Sequence, residues 1–159
     1  MIGVAGCGRM GAPMLAALRR AGHDAQGFDL RPPADFGALA PAMTADADRF
    51  AARLETLFIV VRDIPQTEAV LFGAQGFVTR APHLSRVVIC STLSPRYLRA
   101  LRPRVPARIA LIDAPMSGAA IAAQEARLTF MLGCDAAELD ALRPLLLAMG
   151  RQIHHMGPF

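Results

Sequence analysis

Residues 6–11 read Gly6-Cys7-Gly8-Arg9-Met10-Gly11, the spacing G-x-G-x-x-G. A turn of this kind can hold a pyrophosphate against bare backbone. Gly6 permits a tight turn, Gly8 removes a side chain where the phosphates must approach, and Gly11 lets a helix pack closely on a strand. The free N–H groups and the dipole at the helix start then favour negative charge. The pattern means little outside a strand-to-helix junction. Here Ile2–Gly6 is a short apolar strand, and Met10–Ala21 has helical spacing that stops at Gly22. Arg9 either adds charge beside the pyrophosphate or is simply solvated.

A second chemical group follows at the right distance. The strand Ala25–Leu30 ends at Asp29, 18 residues after Gly11. A carboxylate there accepts hydrogen bonds from both ribose hydroxyls of adenosine and repels a 2′-phosphate, so it favours NAD over NADP. Arg31, just beyond it, pulls the other way, because an arginine in this place can hold a 2′-phosphate.

The elements that must position these groups alternate along the chain. Further strands are expected at Leu57–Val61, Arg86–Ser91, Ile109–Pro115, Leu128–Leu132 and Ile153–Met156. Helices are expected at Ala45–Arg53 behind a Thr44 cap, at Gln66–Phe72, after Ser94-Pro95, and from an Asp135 cap to Met149. Strand and helix repeated at this spacing predict an α/β fold of the Rossmann type. Its mostly parallel, doubly wound sheet would carry helices on both faces, with the later strands free to run antiparallel at one edge. With 159 residues, one domain spanning 1–159 is expected.

Composition narrows the chemistry. All 17 basic residues are arginine, and the chain has neither lysine nor asparagine, so no lysine base and no asparagine clamp is available within it. The formal charge is +4, but the arginines are mostly dispersed. The cluster Arg96, Arg99, Arg102, Arg104 and Arg108 reads as a solvated helix face, and Tyr97 is the only aromatic residue within it, so no nucleic-acid partner is expected. Cys7, Cys90 and Cys134 have no C-x-x-C spacing and suit small core positions in a reducing compartment, hence a cytoplasmic location. His154 and His155 would point to opposite faces of a strand, so no metal site is expected. No apolar run approaches the roughly 18 residues needed to cross a bilayer, and the first residues lack the features of a signal peptide. No membrane partner is expected.

Four segments in order now point to a family. Gly6-Cys7-Gly8-Arg9-Met10-Gly11-Ala12-Pro13-Met14 resembles the G-x-G-x-M-G-x-P-M opening of the β-hydroxyacid dehydrogenases. That family includes 3-hydroxyisobutyrate dehydrogenase, tartronate semialdehyde reductase, L-threonate dehydrogenase and 6-phosphogluconate dehydrogenase. Asp113-Ala114-Pro115-Met116-Ser117-Gly118 resembles its D-A-P-V-S-G-G, and Cys90-Ser91-Thr92 resembles its S-S-T. Gln66-Thr67-Glu68-Ala69-Val70-Leu71-Phe72-Gly73 is similar to the Q-T-E-x-V-L-F-G of the L-threonate branch.

The resemblance implies roles residue by residue. Gly6, Gly8, Arg9, Met10 and Gly11 would hold the pyrophosphate. Asp29, with Leu30 and Arg31 beside it, would meet the adenosine ribose. Val61 and Arg62 would flank the cofactor, with Gln66 and Thr92 toward the nicotinamide. Ser117 and Gly118 would bind the substrate carboxylate, a hydroxyl and a backbone N–H gripping it without a competing charge.

Three departures stand out. The second glycine of the substrate motif is Ala119. A later glycine is Ala122, and the family's G-T-L appears as Ala126-Arg127-Leu128. The family also carries a helical domain with a catalytic lysine and asparagine in K-x-x-N-N, for which this sequence has no counterpart. The implied function is therefore the cofactor-binding domain of an NAD(P)-dependent dehydrogenase of a small β-hydroxyacid, with NAD favoured over NADP, inactive without its helical partner and able to form a homo-oligomer. Two other readings stay open: a non-catalytic dinucleotide-binding or dimerisation module, and an imine-reductase-like relative that does not use the lysine.

Overall fold

The computed structural model describes all of residues 1–159. In chain order the strands are β1 (Ile2–Ala5), β2 (Ala25–Phe28), β3 (Met43–Thr44), β4 (Thr56–Ile59), β5 (Arg86–Ile89), β6 (Ala110–Asp113), β7 (Met116–Ser117), β8 (Leu128–Gly133) and β9 (Gly150–Gly157). The helices are α1 (Gly11–Arg20), α2 (Ala47–Ala51), α3 (Ile64–Leu71), α4 (Phe77–Arg80), α5 (Pro95–Leu101), α6 (Ala120–Gln124) and α7 (Ala136–Met149). They build one nine-stranded sheet of order β3-β2-β1-β4-β5-β6-β8-β7, with β9 also paired to β8.

The first six strands of that order are parallel. Strand β8 then runs antiparallel to β6 and β7, and β9 runs parallel to β8. The sheet is therefore parallel through its centre with reversed strands on one side, as expected. Central strands covered on both faces need apolar residues at every position, which is why they read as unbroken apolar runs. Alternation decides which face each one fills. Val4, Phe58, Val88 and Ile112 pack with α1 and α7 on one face. Ala5, Leu57, Ile59, Val87, Ile89 and Leu111 pack with α2, α3, α4 and α5 on the other. Within that second core Phe28, Phe50 and Phe77 form a triangle, their ring centroids 5.1–5.4 Å apart.

Several local expectations are corrected. Thr44 is not a helix cap: it lies in β3, where its hydroxyl accepts from the Asp46 amide. Asp46 is the cap, accepting from the Asp48 and Arg49 amides, and the helix spans only Ala47–Ala51. Ser94 and Asp135 precede their helices but make no side-chain cap bond. Asp63 does cap α3, accepting from the Gln66 amide at 2.9 Å. Residues Pro33–Ala42 form 3₁₀ turns kinked at Gly37, and β3, β7, α4 and α6 also went unanticipated. Of the arginine cluster, Arg96 and Arg99 are exposed as expected. Arg104 and Arg108 are exposed too, although Arg104 forms a bidentate pair with Glu68 at 2.7 Å and Arg108 donates to the Leu84 carbonyl; Arg102 is half-buried and donates to the carbonyls of Val105, Pro106 and Ile109. All three cysteines are free and buried. No helix is long and apolar enough to cross a membrane.

Candidate functional site

The carboxyl ends of β1, β2, β4, β5 and β6 lie on one edge of the sheet, because these strands are parallel. Ligands of open α/β sheets bind on that edge where the chain's winding reverses, here between β1 and β4. A cleft of about 590 Å³ opens there. Its wall includes Gly6, Gly8, Arg9 and Met10 from the β1–α1 turn, and Phe28, Asp29, Leu30 and Arg31 from the end of β2. Val60, Val61 and Arg62 follow β4, Gln66, Ala69 and Val70 lie on α3, and Gln75 and Met116 complete the wall.

The glycine turn is built for close approach. Gly6 has φ +92°, and a Cβ there would stand 2.5 Å from the Val60 carbonyl oxygen. A Cβ on Gly11 would stand 2.1 Å from the Gly6 carbonyl oxygen, so helix α1 can sit on the turn only with glycine at its start. At Gly8 the position of a Cβ meets nothing within 4 Å. It is a bare, exposed stretch of backbone facing the cleft. The Ala12 amide donates to the Gly8 carbonyl at 3.1 Å and Pro13 has no N–H, so the amides without a partner are those of Arg9, Met10 and Gly11, at the mouth of α1. These residues fit a dinucleotide pyrophosphate.

Asp29 stands across the turn. Its Oδ2 accepts from the Cys7 amide at 2.9 Å, which ties the end of β2 to the glycine loop. Its Oδ1 accepts from the Arg31 amide and from Arg31 Nε, each at 3.1 Å. Arg31 Nη2 also donates to the Cys7 carbonyl at 2.9 Å, and the guanidinium lies 4.5 Å over the Phe36 ring. Burial alone would push the Asp29 carboxyl up. The hydrogen bonds and charge of Arg31 and the Cys7 amide outweigh it and hold the group below its ordinary range. Arg9 and Arg62 are exposed at the rim.

The expected residues do not all converge. Gly6, Gly8, Arg9, Met10, Asp29, Leu30, Arg31, Val61, Arg62 and Gln66 share the cleft, while Gly11 lies beneath it. Thr92, Ser117 and Gly118 are exposed outside the cleft wall: Thr92 on the loop after β5, Ser117 at the end of β7 and Gly118 directly after it. Ser91 Oγ donates to the Val61 carbonyl at 2.6 Å and ties the Thr92 loop to the cleft. Met116, next to Ser117, reaches the wall itself. Phe28, Val60, Ala69, Val70, Gln75 and Met116 line the cleft without having been singled out. The apolar ones were indistinguishable from core, and Gln75 sits in a loop with no motif.

Beyond the cleft, Asp113 at the end of β6 has an Oδ1 with no hydrogen-bond partner. Burial pushes its carboxyl up to about 6. No cluster of three His, Cys, Asp or Glu side chains is placed to hold a metal. His154 and His155 are both exposed, and His155 Nε2 donates to the Cys134 carbonyl at 2.7 Å.

Residues 1–157 match the family described as the NAD binding domain of 6-phosphogluconate dehydrogenase. The chain is 35% identical over 157 residues to the NAD-dependent L-serine dehydrogenase of Pseudomonas aeruginosa, covering 96% of this chain and 52% of that one. A crystal structure of 3-hydroxyisobutyrate dehydrogenase from Salmonella typhimurium superposes with a TM-score of 0.87 at 29% identity, covering 99% of this chain and 56% of that one. A Myxococcus stipitatus imine reductase variant in complex with NAD⁺ reaches a TM-score of 0.82 at 19% identity over 99% of this chain and 54% of that one, a likeness of fold alone. The chain spans about half the length of the curated relatives it matches.

Proposed function

Because the chain belongs to the family of the NAD binding domain of 6-phosphogluconate dehydrogenase, we propose that it is the dinucleotide-binding half of an oxidoreductase acting on a small β-hydroxyacid. The observation that carries this reading is the turn at Gly8, empty of side chains and facing a cleft that ends at Asp29. In this reading the Arg9, Met10 and Gly11 amides at the mouth of α1 hold the pyrophosphate, with the Arg9 side chain beside it, and Asp29 takes the adenosine ribose. Ser117 and Gly118 take the substrate carboxylate, and Thr92 lies toward the nicotinamide. Bound here, the nicotinamide supplies the hydride chemistry.

The chain's own residues bind and orient. None of them is a lysine. The proposal assigns the base that accepts the hydroxyl proton to a helical part outside these residues, so turnover by this chain alone is lower by at least ~10²–10⁴-fold. Homo-oligomer formation and a cytoplasmic location belong to the same proposal, the latter supported by three free, buried cysteines.

NAD is the preferred cofactor in this reading, through Asp29. Calorimetric titration with NAD and NADP in parallel tests it. Tighter NAD binding is expected. Tighter NADP binding would hand the selectivity to Arg31, and binding of neither would overturn the proposal.

A further inference from the structure

We propose that the side-chain amide of Gln75 reads the hydrogen-bonding edge of the adenine base in the cleft. This rests on the dinucleotide reading above. Gln75 is 9% exposed, and it is the one buried polar side chain on the cleft wall. Its amide has no hydrogen-bond partner within the protein, yet it is not sealed off: Asp113 Oδ1 is the only sealed side-chain atom left unpaired. The amide's remaining access is through the cleft. An amide buried without a partner is costly, and a ligand that supplies one is correspondingly favoured.

The loop that carries Gln75 is held in place from both sides. The Gln75 amide N–H donates to the Ala69 carbonyl at 3.2 Å, and the Gln75 carbonyl accepts from Arg80 Nε at 2.8 Å. Gly76 follows in the left-handed region at φ +56°, and Phe77 is then fully buried against Phe28 and Phe50. These contacts fix the Gln75 backbone at the cleft wall.

Position identifies the ligand group. A base joined to a ribose that sits on Asp29 must lie among the neighbouring walls, which are Phe28, Leu30, Ala69 and Val70. Those side chains offer only apolar contact to the flat faces of a ring. Gln66 is already committed, because its Oε1 accepts from the Arg62 amide at 3.1 Å. Gln75 alone has an acceptor and a donor free. Adenine presents the complement, an exocyclic N6–H donor beside a ring-nitrogen acceptor.

The test compares NAD with its 1,N⁶-etheno analogue, in which the exocyclic amine has lost its hydrogens. Affinities are measured by calorimetry for the unaltered chain and for Gln75→Met, which keeps the length and removes the hydrogen bonds. The preference for NAD over the analogue is expected to shrink about tenfold in the variant, the loss of one to two hydrogen bonds. Gln75→Glu, which keeps the acceptor and loses the donor, should fall between them. A preference unchanged by Gln75→Met, or no preference in the unaltered chain, overturns the proposal while leaving the dinucleotide site standing. Failure of the unaltered chain to bind either dinucleotide overturns both.

Discussion

Asp29 and Arg31 bind each other at the mouth of the cleft, and the pairing uses both carboxylate oxygens. Arg31 Nε donates to Oδ1 at 3.1 Å and Nη2 to Oδ2 at 3.3 Å, while the Cys7 and Arg31 amides take further acceptor positions. A carboxylate has about four such positions. A ribose diol can bind Asp29 only after the guanidinium has moved away, whereas a 2′-phosphate would draw that guanidinium toward itself.

Arg31→Ala is therefore expected to tighten NAD binding, by about 3–10-fold, because it frees acceptor sites that the ribose must otherwise win. The same change should weaken NADP binding by more than about tenfold, since a charge-assisted partner for the phosphate is lost. Parallel titrations check both. Weaker NAD binding in the variant would mean that Arg31 supports the cofactor rather than competing with it.

Ala126 sits at φ +52°, the only non-glycine residue in the left-handed region. It follows α6, where the Arg127 amide donates to the Ala122 carbonyl at 2.7 Å and the Ala126 amide to the Ala123 carbonyl at 3.2 Å. These two bonds make the helix-ending motif that favours glycine at this position. Ala126→Gly is expected to stabilise the fold by about 1 kcal/mol, a rise in Tm of about 2–4 °C. A fall in Tm would show that entropy gained by the unfolded chain outweighs the relief.

Asp113 gives a pH-dependent prediction. Its folded pKa of about 6 exceeds its ordinary 3.8 because burial penalises the charge. Its contribution is most favourable below about pH 4 and is lost as pH rises through 6. Asp113→Asn should then stabilise the fold at pH 8, by about 1 kcal/mol after allowing for partial exposure, and change little at pH 4. Thermal melts at the two pH values decide it. An equal effect at both would mean that the carboxyl is not desolvated.

Much of the frame was legible because burial on both faces leaves the middle of a strand no polar positions, as in Leu57–Ile59 and Val87–Ile89. What escaped was short or ambiguous. Strands β3 and β7 have two residues each and no room for a pattern, and the alanine-rich α6 gives no apolar stripe. Thr44 and Asp46 are both good cap residues, and only the β3 pairing decides between them. The glycine turn and Asp29 were legible because their chemistry is local. Gln75 was not, because its importance comes from the core that Phe77 anchors beneath it. Nor does spacing along the chain reveal that Arg31 folds back onto Asp29, since both residues suit a solvated turn equally well.

The bare backbone at Gly8 is the centre of the account, and it permits a clean test. A Cβ there meets nothing within 4 Å, whereas one at Gly11 would stand 2.1 Å from the Gly6 carbonyl oxygen. Gly8→Val should leave the thermal midpoint within about 2 °C of the unaltered chain, since surface changes usually cost within ~0.5 kcal/mol. The measurement is NAD affinity by calorimetry on Gly8→Val and on the unaltered chain, each shown to be folded. Clear binding by the unaltered chain is expected, with a loss of at least about 100-fold in the variant, because the pyrophosphate can no longer reach the free amides of the turn into α1. Equal affinities in two folded proteins would contradict it, and the phosphate site would have to lie elsewhere.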